Sequence, residues 1–175
     1  KHNSIKDYGV KLEIVSHCWK YWRTMTYQAS SLVLNPPVNC EVKYTLFYCP
    51  EEDENTKKRV ELIQSWDWPD NITFAPVSMD KNSLCRRVIG RNVAAVTTEA
   101  DLVWFIDCDM TMEQGAIDML SDRVWSCPNK ILFYPRRVRV PTQQAGDKII
   151  FKATEVVKPI ALDHSGFNRH TYHRA

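Results

Sequence analysis

Ala100-Asp101-Leu102-Val103-Trp104-Phe105-Ile106-Asp107-Cys108-Asp109-Met110 is the stretch whose reading decides the fold. An apolar run unbroken from Leu102 to Ile106 reads as a strand buried on both faces, the pattern of a central strand in a parallel sheet. Such a strand cannot keep an unpaired carboxylate inside, because the desolvation cost exceeds what the strand gains. Asp107 and Asp109 are therefore expected at its carboxyl end, where open α/β sheets bind ligands. Alternation along the backbone places them on one side, about 6 to 7 Å apart. Two carboxylates so placed suit a hard divalent cation that also touches phosphate oxygens. They equally suit a solvated acidic turn, and the stretch alone does not separate the two readings.

Composition narrows the class. The 175 residues, 44% hydrophobic and 25% charged, suit one domain with an ordinary globular core. A net charge of +2 makes no electrostatic case for nucleic-acid or membrane-surface binding. No apolar run reaches the roughly 18 residues that a transmembrane helix needs. Six cysteines (Cys18, Cys40, Cys49, Cys85, Cys108, Cys127) contain no C-x-x-C pair, which argues against a zinc site. Several lie in apolar stretches, where free cysteine behaves as a small hydrophobe. They read as reduced thiols of a cytoplasmic protein, with a disulfide-bonded secreted domain as the alternative.

Around the decisive stretch, strand and helix patterns alternate. Residues 11–16 have strand character, with Ser16-His17-Cys18-Trp19 as the turn leaving it. Residues 22–34 carry a helical stripe of Met25, Ala29, Leu32 and Val33, ended by Asn35-Pro36-Pro37. Residues 43–48 are rich in β-formers. The acidic loop Glu51-Glu52-Asp53-Glu54 then leads into a helix over about residues 55–66. A third strand is expected over residues 72–77. A long helix follows over about residues 83–97, capped by Asp80 or Asn82, with Leu84, Cys85, Val88, Ile89, Ala95 and Val96 as its apolar face. After the acidic strand come a helix at residues 112–125 and a strand at 130–134. Residues 136–157 mix β-like pieces with a polar loop at 142–147, and the tail ends as if a helix were beginning. The whole predicts an α/β domain with a mostly parallel sheet. Neither G-x-G-x-x-G nor G-x-x-x-x-G-K-[ST] occurs, so phosphate binding would fall to a metal and arginines.

The helix before the acidic strand carries Arg86-Arg87-Val88-Ile89-Gly90-Arg91-Asn92. Arg87 and Arg91, four apart, share a helical face, and guanidinium forks match phosphate or carboxylate oxygens. On their own they read as a solvated basic face. With Asp107 and Asp109 one strand later, the combination resembles the family 2-type glycosyltransferases with the GT-A fold. Those enzymes carry an Arg-Asn on the helix before the strand and a D-x-D motif at its end. The resemblance runs over about residues 12–175: Ile14-Val15-Ser16-His17-Cys18-Trp19 falls at the family's first strand and turn. Gly166-Phe167-Asn168-Arg169 with Thr171 and Tyr172 falls at its acceptor-side segment.

The resemblance implies a single GT-A-like domain, C-terminally incomplete, moving a sugar from a nucleotide-sugar donor to a saccharide, lipid or protein acceptor. It implies Mn²⁺ or Mg²⁺ on Asp109, with Asp107 at the donor ribose or supporting the ion. Arg91, with Arg87 and Asn92, would lie near the nucleotide, and Ser16 and His17 would line its pocket. In the family an Asp-Asp-Gly-Ser-x-Asp stretch follows the second strand, its first Asp on uracil. Tyr48-Cys49-Pro50-Glu51-Glu52-Asp53 stands there instead, so only Asp53 matches and the uracil-contacting Asp has no counterpart. The family's catalytic base lies in a segment beyond Ala175, which leaves Asp163 as a substitute, and the family's reaction inverts the anomeric centre.

His164, His170 and His173 form a C-terminal cluster in which His164 or His170 could complete a metal shell, although helix-surface histidines are commoner. Two other functions stay open: a catalytically inactive or incomplete domain that binds nucleotide-sugar, and a sugar nucleotidyltransferase. The second lacks a Gly-rich basic loop between Ser16 and Arg23.

Overall fold

The computed structural model describes residues 9–126 and 137–171. The expected strand at 130–134, and Cys127, Tyr172 and His173, lie outside the described residues. Four strands, β1 (Val10–Cys18), β2 (Cys40–Tyr48), β3 (Ile72–Ser78) and β4 (Leu102–Phe105), form a parallel sheet in the order β3-β2-β1-β4. Around it run α1 (Trp22–Leu34), α2 (Glu54–Gln64), α3 (Lys81–Cys85), α4 (Arg87–Thr97) and α5 (Ala116–Ser126). β5 (Arg137–Pro141) and β6 (Phe167–Thr171) make an antiparallel pair, with α6 (Gln143–Ala153) between them. The expected α/β architecture, a parallel central sheet flanked by helices, is present.

Alternation along the strands divides the core into two layers. Leu12, Ile14, Val42, Tyr44 and Leu46 face Met25, Ala29 and Leu32 of α1 and Val60 and Ile63 of α2. Val15 and Phe47 point the other way, against Leu84 of α3 and Ala94 of α4. With helices on both faces, β1 and β2 are buried nearly throughout, as a parallel sheet requires. β1 even holds a buried carboxylate, Glu13, because Thr45 Oγ1 donates to it at 2.6 Å and Lys43 pairs with it at 3.1 Å.

Several expectations are corrected. The interior strands of the described sheet are β1 and β2, not the acidic strand: β4 is terminal among the described residues, and Phe105 is 39% exposed. An apolar run reports burial of some neighbours, and β1 has the same character. β1 extends through Cys18, so the turn comes later, at Lys20 with φ 63°. The helix expected over residues 83–97 is two helices, broken at Arg86, whose φ of −93° and ψ of 72° are not helical. Neither proline nor glycine marks that break. Val88 and Val96 are exposed, and α4 instead turns Gly90 and Ala94 to the sheet. Residues 142–147 open α6 rather than a loop, with Thr142 Oγ1 accepting the Ala145 N–H as a helix cap. Residues 167–171 of the tail form β6, and the tail's end, where a helix is expected to begin, lies outside the described residues.

Candidate functional site

The acidic loop grows out of β4 with its alternation intact. Ile106 and Cys108 point inward and are buried, while Asp107 and Asp109 point outward and are exposed. Inward anchoring explains that division. The Cys108 thiol is buried, and the neighbouring Cys18 thiol together with that burial pushes its ionisation up. The Ile106 N–H donates to the Val15 carbonyl at 3.1 Å, and Ser16 Oγ donates to the Ile106 carbonyl at 3.1 Å. The chain then turns, with the Met110 N–H donating to the Asp107 carbonyl at 3.1 Å. Asp109 rides in the middle of that turn.

α1 supports the loop from beneath. Gln28 Nε2 donates to the Asp107 carbonyl at 3.0 Å, and Tyr44 Oη donates to Gln28 Oε1 at 2.7 Å. Further along, the Met112 N–H donates to Ser31 Oγ at 3.1 Å and Asn35 Nδ2 donates to the Met112 carbonyl at 3.0 Å. Backbone groups that no ladder satisfies are thus paired by side chains of α1 and of Asn35, the residue that caps its end. Gln28, Ser31, Asn35 and Tyr44 were not among the residues expected at the site. One signal was available: Gln28 stands at a buried position of the Met25, Ala29, Leu32 stripe, where a polar residue needs a partner.

The outer wall is α4. Arg87 Nη1 lies 2.6 Å from Asp107 Oδ1 and Arg91 Nη2 lies 3.7 Å from the same oxygen. The Arg91 guanidinium also covers the Phe105 ring at 5.7 Å, and its Nε is buried without a hydrogen-bond partner among the described residues. Between the arginines, Gly90 allows the helix to sit directly on His17 and Phe47; a Cβ there would collide with His17 Nε2. His17 stacks on Phe47 with ring centroids 5.0 Å apart. Burial, with Arg91 and Arg87 beside it, lowers the His17 pKa to about 4, so the imidazole is neutral near pH 7. Its Nε2 is buried and has no hydrogen-bond partner among the described residues.

The structure therefore brings together Ser16, His17, Arg87, Arg91, Asp107 and Asp109. Asn92 is exposed on α4 without a side-chain hydrogen bond among the described residues. Asp53 is 5% exposed and occupied: it accepts from the Lys20 N–H (2.6 Å), the Thr56 N–H (3.2 Å) and Thr56 Oγ1 (2.6 Å), capping α2 and fixing the turn after β1. Asp163 is exposed and its carboxyl is held below the usual range by hydrogen bonds from Ser165. His164 lies edge-on to Phe167 and lines a cavity of about 360 Å³ with Tyr27, Ser31, Asn35 and the Glu113–Arg139 ion pair.

Among the described residues, no group of three or more His, Cys, Asp or Glu side chains could hold a metal ion. Two outward carboxylates on one turn fit a different arrangement. A hard divalent ion that takes one or two protein carboxylates and completes its shell with water and phosphate oxygens needs no protein cage.

No protein-family model and no curated protein matches the sequence. Among solved structures the chain is similar to TarS 1–349 of S. aureus, with a TM-score of 0.51 and 12% identity over 75% of this chain. TarS is a glycosyltransferase. The likeness is one of fold, an α/β domain with a parallel central sheet flanked by helices. The chain spans 41% of the length of that structure. Among the described residues no helix is long and apolar enough to cross a membrane.

Proposed function

We propose that this chain is the donor-binding part of a metal-dependent glycosyltransferase that takes a sugar from a nucleotide-activated donor. One observation carries the reading: an outward Asp107/Asp109 pair at the carboxyl end of a parallel strand, faced by Arg87 and Arg91. The glycosyltransferase-like fold supports it. In this reading Asp109 would hold a divalent ion, Mn²⁺ or Mg²⁺, which Asp107 would support. Bound there, the ion would supply Lewis-acid stabilisation of a leaving diphosphate. Arg87 and Arg91 would pass from Asp107 to the diphosphate oxygens, which guanidinium groups bind bidentately. The neutral His17, stacked on Phe47, would border the nucleoside without adding charge. An inverting displacement onto a saccharide, lipid or protein acceptor is part of the proposal. Asp163 is its candidate base, although a carboxyl held below the usual range is a weak one. A cytoplasmic setting is likewise proposed, supported by the five described cysteines being unpaired.

Asp109→Ala is the direct test. It should abolish Mn²⁺-dependent binding of nucleoside diphosphates in calorimetry while the melting temperature of the free protein stays within about 2 °C, an exposed substitution costing about 0.5 kcal/mol or less. Undiminished affinity in the variant would sink the metal reading. A second reading, a domain that binds without catalysing, is favoured by the 2.6 Å Arg87–Asp107 pair, which leaves Asp109 as the carboxylate of the two without a side-chain partner among the described residues. Nucleotide-sugar binding without donor hydrolysis or transfer would select it.

A further inference from the structure

The turn that carries Asp109 is fixed by a polar side chain buried beneath it. Gln28 is 0% exposed, in the middle of α1, among Met25, Ala29 and Leu32. A buried amide is costly unless both of its ends are paired. Here both are, and the pairing has one direction. The Asp107 carbonyl can only accept, so it takes the Gln28 Nε2–H at 3.0 Å. Gln28 Oε1 then faces Tyr44, whose hydroxyl donates at 2.7 Å. Complete burial keeps that phenol protonated, so the donor is always available.

The Asp107 carbonyl is also the acceptor that closes the turn, receiving the Met110 N–H at 3.1 Å. Gln28 therefore grips the turn at the one backbone atom that defines it. Asp107 has side-chain partners in Arg87 and Arg91, whereas Asp109 has none among the hydrogen bonds and ion pairs of the described residues. The aim of Asp109 depends on the backbone turn.

We propose that Gln28, oriented by Tyr44, is a positioning residue that presents Asp109 for ion binding. This rests on the metal reading of Asp107 and Asp109. A fixed turn removes the ordering cost that a mobile carboxylate would meet on binding. Groups that orient metal ligands commonly change metal affinity by about 10- to 100-fold when removed.

The test uses Gln28→Met, which keeps the length and apolar stem, Tyr44→Phe, which removes only the orienting hydroxyl, and Ile63→Val, a core control on α2. Two readouts are taken on the whole chain: calorimetric titration with Mn²⁺ plus UDP or GDP, and amide hydrogen exchange at residues 106–112. Gln28→Met should weaken Mn²⁺-dependent nucleotide binding about tenfold and raise exchange in that loop about tenfold, with α2 amides unchanged. Tyr44→Phe should move both in the same direction by less, and Ile63→Val should move neither.

If Gln28→Met matches wild type in loop exchange, or shifts affinity no more than Ile63→Val does, the assignment is overturned and Gln28 only packs. If the wild-type protein binds neither nucleotide with Mn²⁺, the metal reading falls while loop exchange still decides whether Gln28 fixes the turn. If Asp109→Ala loses binding and Gln28→Met retains it, the metal reading stands and this inference alone fails.

Discussion

Two acidic loops leave the carboxyl edge of the same sheet, one after β2 at Asp53 and one after β4 at Asp107 and Asp109. In sequence each is an acidic loop following an apolar strand. In the structure they are opposites. Asp53 is buried and both of its oxygens are taken, by two backbone N–H groups and a hydroxyl that hold the β1 turn and the start of α2 together. Asp107 and Asp109 are exposed, and the backbone under them is what is tied down, by Ser16, Gln28, Ser31 and Asn35. One carboxylate is spent on the fold; the other pair is held out from it. A carboxylate's role follows from how many of its lone pairs the fold has already used.

Substitutions should break that symmetry in order of size. Asp53→Ala removes a helix cap and strands buried donors, so it should cost about 2–4 kcal/mol in urea unfolding. A loss below about 1 kcal/mol would mean that the loop after β2 is as dispensable to stability as the loop after β4. His17 gives a smaller, pH-dependent effect. Unfolded, its imidazole takes a proton near its ordinary value of 6.5; folded, only near about 4. Between those values the unfolded chain holds the extra proton, so stability falls as pH drops through that window and levels off below it. His17→Phe should flatten this part of the slope in urea midpoints compared at about pH 7 and about pH 5; an unchanged slope would show that the burial of His17 is not what links pH to stability. Asp107→Ala should be the smallest. Its pair with Arg87 joins side chains 57% and 56% exposed, and such pairs contribute under about 1 kcal/mol. A double-mutant cycle with Arg87→Ala measures the pair; coupling above about 2 kcal/mol would make this loop a structural device like the one at Asp53.

Much of the candidate site was legible. The run from Leu102 to Asp109 states its own geometry, because period-two alternation needs no partner to be read, and the outward placement of Asp107 and Asp109 follows from it. Arg87 and Arg91, four apart on a helix, were identifiable as one face, and they do meet Asp107. What could not be read was depth. The apolar character of residues 102–106 suggested a central strand, yet β4 is terminal among the described residues, since sheet order depends on which strands meet and not on any one strand's composition. Asp53 gave the same signal as Asp107 until Thr56 and Lys20 closed on it.

The sequence by itself determined the alternation of strands and helices, the exact span of α1, the carboxylate pair and the basic face before it, all of which are local periodicities and spacings. Only the tertiary structure decided which helix face meets the sheet, through Gly90 closing on His17. Only it decided which acid is buried, and that Gln28 and Tyr44, sixteen residues apart on different elements, converge under Asp107. Those are contacts between distant segments, and their energies depend on burial and on partners that no local pattern encodes.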